Sequence, residues 1–324
     1  MPFAIRFHQT GGPEVLRWEE VAVGDPAPGE ARVRHEAVGL NFIDTYHRTG
    51  LYPMPLPSGI GLEGAGVVEA VGEGVNDVRP GDRVAYAGGP VGAYSQVRCL
   101  PAHRLLKLPQ TIDCRTGAAM MLQGLTSAYL LRRTYCVQPG DTVLIHAVAG
   151  GVGLIACQWA KALGATVIGT VSTEAKAELA RQHGCDHVIF YTREDIVQRV
   201  RAVTGGEGVA VVYDGVGKDT FMASLDCLRP RGMMVTFGNA SGAVPPFDPL
   251  LLTQKGSLFL TRPKLADYTT KREELLALGD ELFDVVQRGK VRIEVNQTYA
   301  LADAASAHRD LEARKTTGST IFLP

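Results

Sequence analysis

The chain has 324 residues, of which 45% are hydrophobic and 21% charged, with a formal net charge of -1. That length suits two domains, and that composition excludes wholesale disorder. So balanced a charge excludes a strongly basic nucleic-acid or anionic-membrane binder, and no apolar run is long enough to span a bilayer, so a small-molecule partner is expected.

Residues 1–124 are dense in glycine and proline, and "ARVRHEAVGL", "AGVVEAVGEGV" and "DRVAYAG" read as strands broken at glycine. The opening "MPFAIRFHQTGGPEVL" lacks the charged segment and apolar stretch of a secretory leader. Six widely spaced cysteines without a CxxC pair then predict free thiols in a reducing cytoplasm. Pro-Gly-Asp turns in "VRPGDRV" (78–84) and "VQPGDTV" (137–143) each precede a strand. These residues predict an irregular, mostly β domain.

From residue 125 the rhythm changes. "TVLIHA" predicts a strand, "GGVGLIACQWAKALG" a helix and "TVIGTV" a second strand. "TEAKAELARQHG" predicts a helix closed by Gly184. "DHVIFY", "REDIVQRVRAVTGG", "VAVVYDGVG", "KDTFMASLDCLRPRG", "MMVTFGN" and "GSLFLT" continue the alternation. Such spacing predicts an α/β domain over 125–264, a doubly wound parallel sheet covered on both faces. Residues 265–324 carry a long helix, "KREELLALGDELFDVVQRG", then a strand, a helix and the strand "STIFLP". This tail is expected to return to the first domain.

The stretch "HAVAGGVG" (146–153) lies between a strand and a helix. Gly150 and Gly153 take the second and third positions of GxGxxG, and Val148 takes the first. Helix N-terminal amides and the dipole suit a pyrophosphate, and glycine lets the backbone approach it. The alternative, a tight turn without a ligand, is weakened by the regular βαβ units on either side. NAD binders usually end their second strand on an acid that holds the ribose hydroxyls. Here "GTVST" ends on Ser172, with Lys176 and Tyr191 near enough to converge. Hydroxyls and a positive charge suit the 2′-phosphate of NADPH; the alternative for Lys176 is an ordinary exposed helix lysine.

These stretches, with "GGPEVL", "GLNFIDTYHRTGLYP", "GLEGAGVVEAVGEGV", "GLTSAYLLRRTY", "FGNASGAV" and "TTGSTIFLP", resemble the zinc-independent quinone oxidoreductases. That family is related to zeta-crystallin and belongs to the medium-chain dehydrogenase/reductase superfamily. The resemblance implies a GroES-like catalytic domain built from both chain ends, a Rossmann NADPH-binding domain between them, and the cofactor in the cleft. It implies nicotinamide-side contacts from Asn41, Phe42, Ile43, Asp44, Thr45, Tyr46 and Tyr129. Pyrophosphate contacts fall at Gly150, Gly151 and Val152, and adenosine-phosphate contacts at Ser172, Thr173, Lys176, Tyr191 and Arg314. Gly215, Phe237, Gly238, Asn239, Ala240, Pro263, Lys264 and Leu265 would pass along the cofactor. The resemblance also implies a homodimer formed through sheet edges, for which "GSLFLT" is a candidate strand.

Zinc relatives carry a cysteine and a histidine where this chain has Asn41 and Leu62, and "YAGGPVGAYSQ" lacks the cysteines of a structural zinc lobe. In "HGCDH" (His183, Cys185, His187), Gly184 breaks the helical spacing. No metal is therefore expected. A quinone is already electron-poor, so its reduction by hydride requires chiefly orientation and exclusion of water. Asn41, Tyr46 and Tyr52, in a loop with Pro53, Pro55 and Pro57, are the candidate donors to the developing oxyanion. The alternatives are a turn cap for Asn41 and space filling for the tyrosines; Asp44 is expected to order the loop by hydrogen bonding. Competing functions are an enone or alkenal reductase on the same scaffold, a non-catalytic crystallin-like or RNA-binding protein, and a nucleotide-binding domain with a dead pocket.

Overall fold

A computed structural model describes residues 1–324 and divides into two units. The first comprises Met1–Leu125, Thr269–Gln287 and Ile293–Pro324; the second comprises Thr126–Tyr268 and Arg288–Arg292. Residues 265–268 and 288–292 thus fall with the second unit, not with the C-terminal return expected from residue 265.

In the first unit, β1 (Phe3–Phe7) lies between β2 (Arg17–Glu20) and β4 (Ser58–Gly59). The larger sheet is centred on β3 (Glu30–Leu40), which pairs antiparallel with β5 (Glu63–Val71) and β7 (Val97–Pro101). Two further strands, β6 (Arg83–Ala87) and β8 (Leu106–Lys107), extend it on one side. Helix α1 (Phe42–Thr49) follows β3 directly, and α2 (Cys114–Tyr129) follows β8. Phe7, Ile60, Tyr94, Leu105 and Phe322 lie in the core of this unit, each fully buried.

The second unit carries a six-stranded sheet in which every pairing is parallel. It contains β9 (Thr142–Ile145), α3 (Gly151–Ala162), β10 (Thr166–Val171), α4 (Glu174–Gln182), β11 (His187–Phe190), α5 (Ile196–Val203) and β12 (Val209–Asp214). Then come α6 (Phe221–Asp226), β13 (Leu228–Thr236), α7 (Leu250–Gln254) and β14 (Phe259–Thr261). The strand order is β11-β10-β9-β12-β13-β14, so the winding reverses between β9 and β12. Ligands in such sheets sit at the strand carboxyl ends beside that reversal. All six residues of β12 are buried, as a central strand covered on both faces requires. Gly164 and Gly184, at φ +89° and +88°, close α3 and α4 in the left-handed region.

The chain returns to the first unit through α8 (Arg272–Gln287), β15 (Val295–Ala300), α9 (Ala304–Glu312) and β16 (Ser319–Leu323). There β16 pairs antiparallel with β3, Ile321 opposite Gly39, and parallel with β15.

Three predictions need correction. "NFIDTY" is not a loop: Asn41 is the N-cap of α1 and Phe42 to Tyr46 lie on it, while Tyr52 lies beyond its C-terminal end. The helix expected over "KDTFMASLDCLRPRG" ends at Asp226, and β13 begins at Leu228. Pro230 has no N–H to continue a helix, and Arg231 adopts φ +61° while its N–H bonds to Gly256 O (2.8 Å). The following strand also stops at Thr236, short of the expected Asn239. Helix α2 escaped the sequence pattern because it is buried almost all round and so lacks a polar stripe.

Candidate active site

The first unit assembles its polar cluster around Asn41, the N-cap of α1. Asp44 Oδ2 accepts the Asn41 backbone N–H (2.9 Å), half of a capping box that fixes the first turn. The Asn41 side chain donates from Nδ2 to Glu63 Oε2 (2.6 Å) and accepts at Oδ1 from Gln123 Nε2 (3.2 Å). Glu63 Oε1 in turn accepts the Leu122 N–H (2.7 Å), and Gln123 Oε1 accepts from Ser319 Oγ (2.7 Å). Gly39 leaves the room this needs: a Cβ there would lie 2.2 Å from Glu63 Oε2 and 2.5 Å from Ala118 O.

Asp44 and Glu63 are both fully buried. Burial lifts Asp44 to about 7, against the lowering effect of the Asn41 N–H and the Tyr94 hydroxyl, which donates to Oδ2 at 2.8 Å. Burial lifts Glu63 to about 8, opposed by the Asn41 amide and backbone N–H donors and reinforced by the charge of Asp44. Asp44 Oδ1 is buried with no partner. The Tyr46 and Tyr52 rings meet edge to face at 5.2 Å, and the Tyr52 N–H bonds to Tyr46 O (3.1 Å). Phe42 packs on Tyr46 at 6.3 Å. Tyr46 and Tyr52 are thus brought together, and Asn41 caps the short helix that carries Ile43, Thr45 and Tyr46.

The second unit assembles the glycine turn. Gly150 caps α3 in an extended conformation with no side-chain cap, and Gly151 and Val152 form the helix's first turn. The first intrahelical bond is Leu154 N–H to Gly150 O (2.9 Å), so the amides of Gly151, Val152 and Gly153 precede the ladder. A Cβ on Gly153 would lie 2.5 Å from Ala147 O and 2.7 Å from Val148. Val148, at the place of the first fingerprint glycine, points into the protein, fully buried, and its N–H bonds to Thr170 O (3.2 Å). Gly169 makes space for it: a Cβ there would approach Val148 Cγ1 to 2.5 Å.

Val171 pairs with Phe190, which sets Ser172 beside Tyr191 at adjacent strand ends. Thr173 caps α4 by accepting the Lys176 N–H (3.3 Å). Tyr129 stacks on Tyr268 at 4.5 Å and 13°. Gly215 and Gly238 pack so closely that a Cβ on Gly238 would lie 2.3 Å from Gly215 O, and Ala240 N–H bonds to Gly215 O (3.2 Å). Asn239 continues this loop, and a Cβ on Gly215 would meet the Phe237 ring at 3.1 Å. Nearby, Thr236 Oγ1 is buried with no partner, while Arg262 donates to Thr236 O (3.1 Å). Pro263, Lys264 and Leu265 follow β14, Lys264 exposed and paired with Asp267 (3.3 Å). Arg314 belongs to the first unit, in a left-handed turn at φ +58° after α9.

This cradle fits a dinucleotide: an uncapped helix start, glycines where a Cβ would collide, and an orphaned buried hydroxyl beside the loop. The donor set does not fit zinc. The Asn41 amide is bonded to Glu63 and Gln123, Leu62 offers no ligand atom, and no three His, Cys, Asp or Glu side chains converge to hold a metal. In "HGCDH", His183 bonds Leu179 O (2.7 Å) and Arg292, and Cys185 is buried against backbone carbonyls.

The mostly antiparallel first unit and the doubly wound second unit together define a medium-chain dehydrogenase/reductase. Residues 27–110 match the alcohol dehydrogenase GroES-like domain family, and residues 151–268 match the family described as zinc-binding dehydrogenase. That second match lies within the nucleotide-binding unit, away from positions 41 and 62. The chain is 57% identical over 321 residues to the quinone oxidoreductase of Pseudomonas aeruginosa, covering 99% of each. It is 50% identical to a 2-haloacrylate reductase from Burkholderia, covering 100% of this chain and 99% of the relative. The crystal structure of Escherichia coli quinone oxidoreductase complexed with NADPH superposes with a TM-score of 0.98 at 52% identity, covering 99% of this chain and 100% of that one. Within its superfamily, the chain belongs to the quinone oxidoreductases.

Sequence reasoning missed Glu63, Gln123 and Tyr94 as partners of the Asn41–Asp44 turn. Glu63 stands in "GLEGAG" directly after Leu62, the position that holds the histidine in zinc relatives, and nothing in the local pattern ties it to Asn41.

Proposed function

We propose that the protein is an NADPH-dependent quinone reductase that works without a catalytic metal. The observation that carries this is the uncapped, glycine-lined start of α3, in a chain whose position 41 holds a hydrogen-bonding amide. Bound NADPH supplies a hydride. Gly150, Gly151 and Val152 hold its pyrophosphate, and Ser172, Lys176 and Tyr191 its 2′-phosphate; Arg314 joins them on the resemblance alone. Tyr129 and the Asn41–Tyr46 segment serve the nicotinamide side, with Gly215, Phe237–Ala240 and Pro263–Leu265 along the cofactor. Thr173 supports the site from its cap position.

Asn41 Nδ2 gives one N–H to Glu63 and keeps a second for a substrate oxygen. Tyr46 and Tyr52 add hydroxyl donors and ring faces for a flat acceptor. The proton that completes the reduction comes from solvent. The protein is further proposed to act in the cytoplasm as a homodimer, without strong nucleic-acid binding; no helix is long and apolar enough to cross a membrane.

A second reading, reduction of an activated double bond, is favoured by the likeness to the 2-haloacrylate reductase. NADPH oxidation across a panel of benzoquinones, enones and 2-haloacrylates separates the two. The highest kcat/KM with a quinone supports the first reading; turnover confined to conjugated double bonds replaces it with the second.

A further inference from the structure

Beneath the nucleotide cradle a buried hydrogen-bond circuit links the ends of three strands. Ala147, which follows β9 and His146, has φ +51°, a left-handed conformation that is strained for a non-glycine residue. Its N–H donates to Thr170 Oγ1 (3.1 Å), near the end of β10. That hydroxyl lies 3.1 Å from His146 Nδ1, and His146 Nε2 lies 3.0 Å from Ser224 Oγ on α6. Ser224 donates to Asp214 Oδ2 (2.8 Å) at the end of β12. Asp214 Oδ1 accepts the backbone N–H groups of Val216 (2.8 Å) and Gly217 (3.0 Å), and Thr220 donates to the same carboxylate.

A carboxylate only accepts, so Ser224 gives its hydrogen to Asp214 and accepts from His146 Nε2–H. Burial lowers the His146 pKa against the raising effect of Asp214, which favours the neutral ring. In that Nε2–H tautomer Nδ1 is an acceptor, so Thr170 donates to it while accepting the Ala147 N–H. His146, Ser224 and Asp214 are all buried, and each has its polar atoms engaged within the circuit. The order of groups is not that of a nucleophilic triad, because the serine stands between histidine and carboxylate.

We infer that His146, with Thr170 and Ser224, is a positioning residue of the nucleotide site: the circuit holds the strained glycine turn and the Asp214–Gly217 turn at the spacing a dinucleotide needs. The inference rests on the proposal that this site takes NADPH. The two turns emerge from β9 and β12, the strands at which the winding reverses, and the backbone bond between them is His146 N–H to Tyr213 O (3.1 Å).

The test is NADPH titration of the full chain, read by nucleotide fluorescence, with kcat and KM measured on 1,4-benzoquinone. Thr170→Val and Ser224→Ala should each raise the Kd for NADPH about tenfold while kcat stays within about twofold, and Thr170→Ser, which keeps the hydroxyl, should restore affinity. NADH should weaken by the same factor. The double variant should be no weaker than the weaker single, because either change opens the same circuit. Unchanged affinity in both folded single variants, or effects that multiply in the double, would overturn the inference. Should Thr170→Val fail to fold, Ser224→Ala decides alone, since Asp214 keeps Thr220 and its backbone donors. Failure of the unaltered protein to bind NADPH would overturn the functional reading itself, and the inference with it.

Discussion

Asn41 is both a helix cap and the bridge between two buried carboxyls, so its removal disturbs more than the proposed substrate contact. The tyrosines give the cleaner test of placement chemistry. Tyr46→Phe and Tyr52→Phe delete one hydroxyl each and should lower kcat/KM by about tenfold; a loss beyond about a thousandfold in a folded variant would assign one of them obligatory proton transfer. Asp44 makes a separate prediction about stability. Its folded pKa, about 7, is raised above the unfolded value, so the stability it contributes is fully present below the unfolded pKa and lost as pH rises through the folded one. Asp44→Asn keeps an acceptor for the Asn41 N–H and the Tyr94 hydroxyl. The Tm of the native protein should therefore fall relative to that of Asp44→Asn as pH rises from about 4 to about 8. Parallel melting curves across that range would contradict a perturbed Asp44. The chemistry-bearing residue types were legible in "NFIDTY", but their partners were not: Glu63 stands 22 and Gln123 82 positions from Asn41, distances that no local pattern encodes.

At the scale of elements, the strand–turn–helix around "HAVAGGVG" was legible because each part carries its own signal: an apolar strand, glycines, then a long helical run. What the pattern left open was how Val148 could replace the first glycine. The answer lies on another strand, where Gly169 vacates the volume Val148 fills. No such vacancy awaits a side chain at Gly153, where Ala147 O and the Val148 backbone stand within 2.7 Å of a Cβ. Gly153→Ala should therefore cost about 1–3 kcal/mol in unfolding free energy and weaken NADPH binding, measured by denaturant titration and fluorescence. Native stability together with native affinity would show that the turn has more slack than its geometry allows. Helices α1 and α2 were the least legible elements, one too short and turn-like, the other buried almost all round. Prediction also failed at "CLRPRG", where Pro230 and the left-handed Arg231 end the helical pattern and open a strand.

For the whole molecule, the βαβ alternation was enough to define a parallel doubly wound unit, and the GroES-like character of the rest came from resemblance more than from periodicity. The unit boundaries were harder to read: the short return of Arg288–Arg292 to the second unit carries no compositional mark. The sheet of that unit ends at β14, where Phe259 is 58% exposed on an edge strand. An apolar edge of this kind invites pairing with a second chain. If the protein is the proposed homodimer, with this edge at its interface, Phe259→Asp should lower the sedimentation coefficient to that of a monomer while NADPH binding persists. An unaltered protein that already sediments as a monomer, or a variant that stays dimeric, would contradict an interface at β14.

In the proposed reaction hydride reaches an electron-poor ring by placement, in a protein whose donor set does not suit zinc. Benzoquinone-dependent NADPH oxidation after exhaustive chelation, with bound metal quantified in the same sample, puts this to the proof. Full turnover at negligible zinc is the predicted result. Activity that vanishes with the chelator and returns in proportion to added zinc would contradict it.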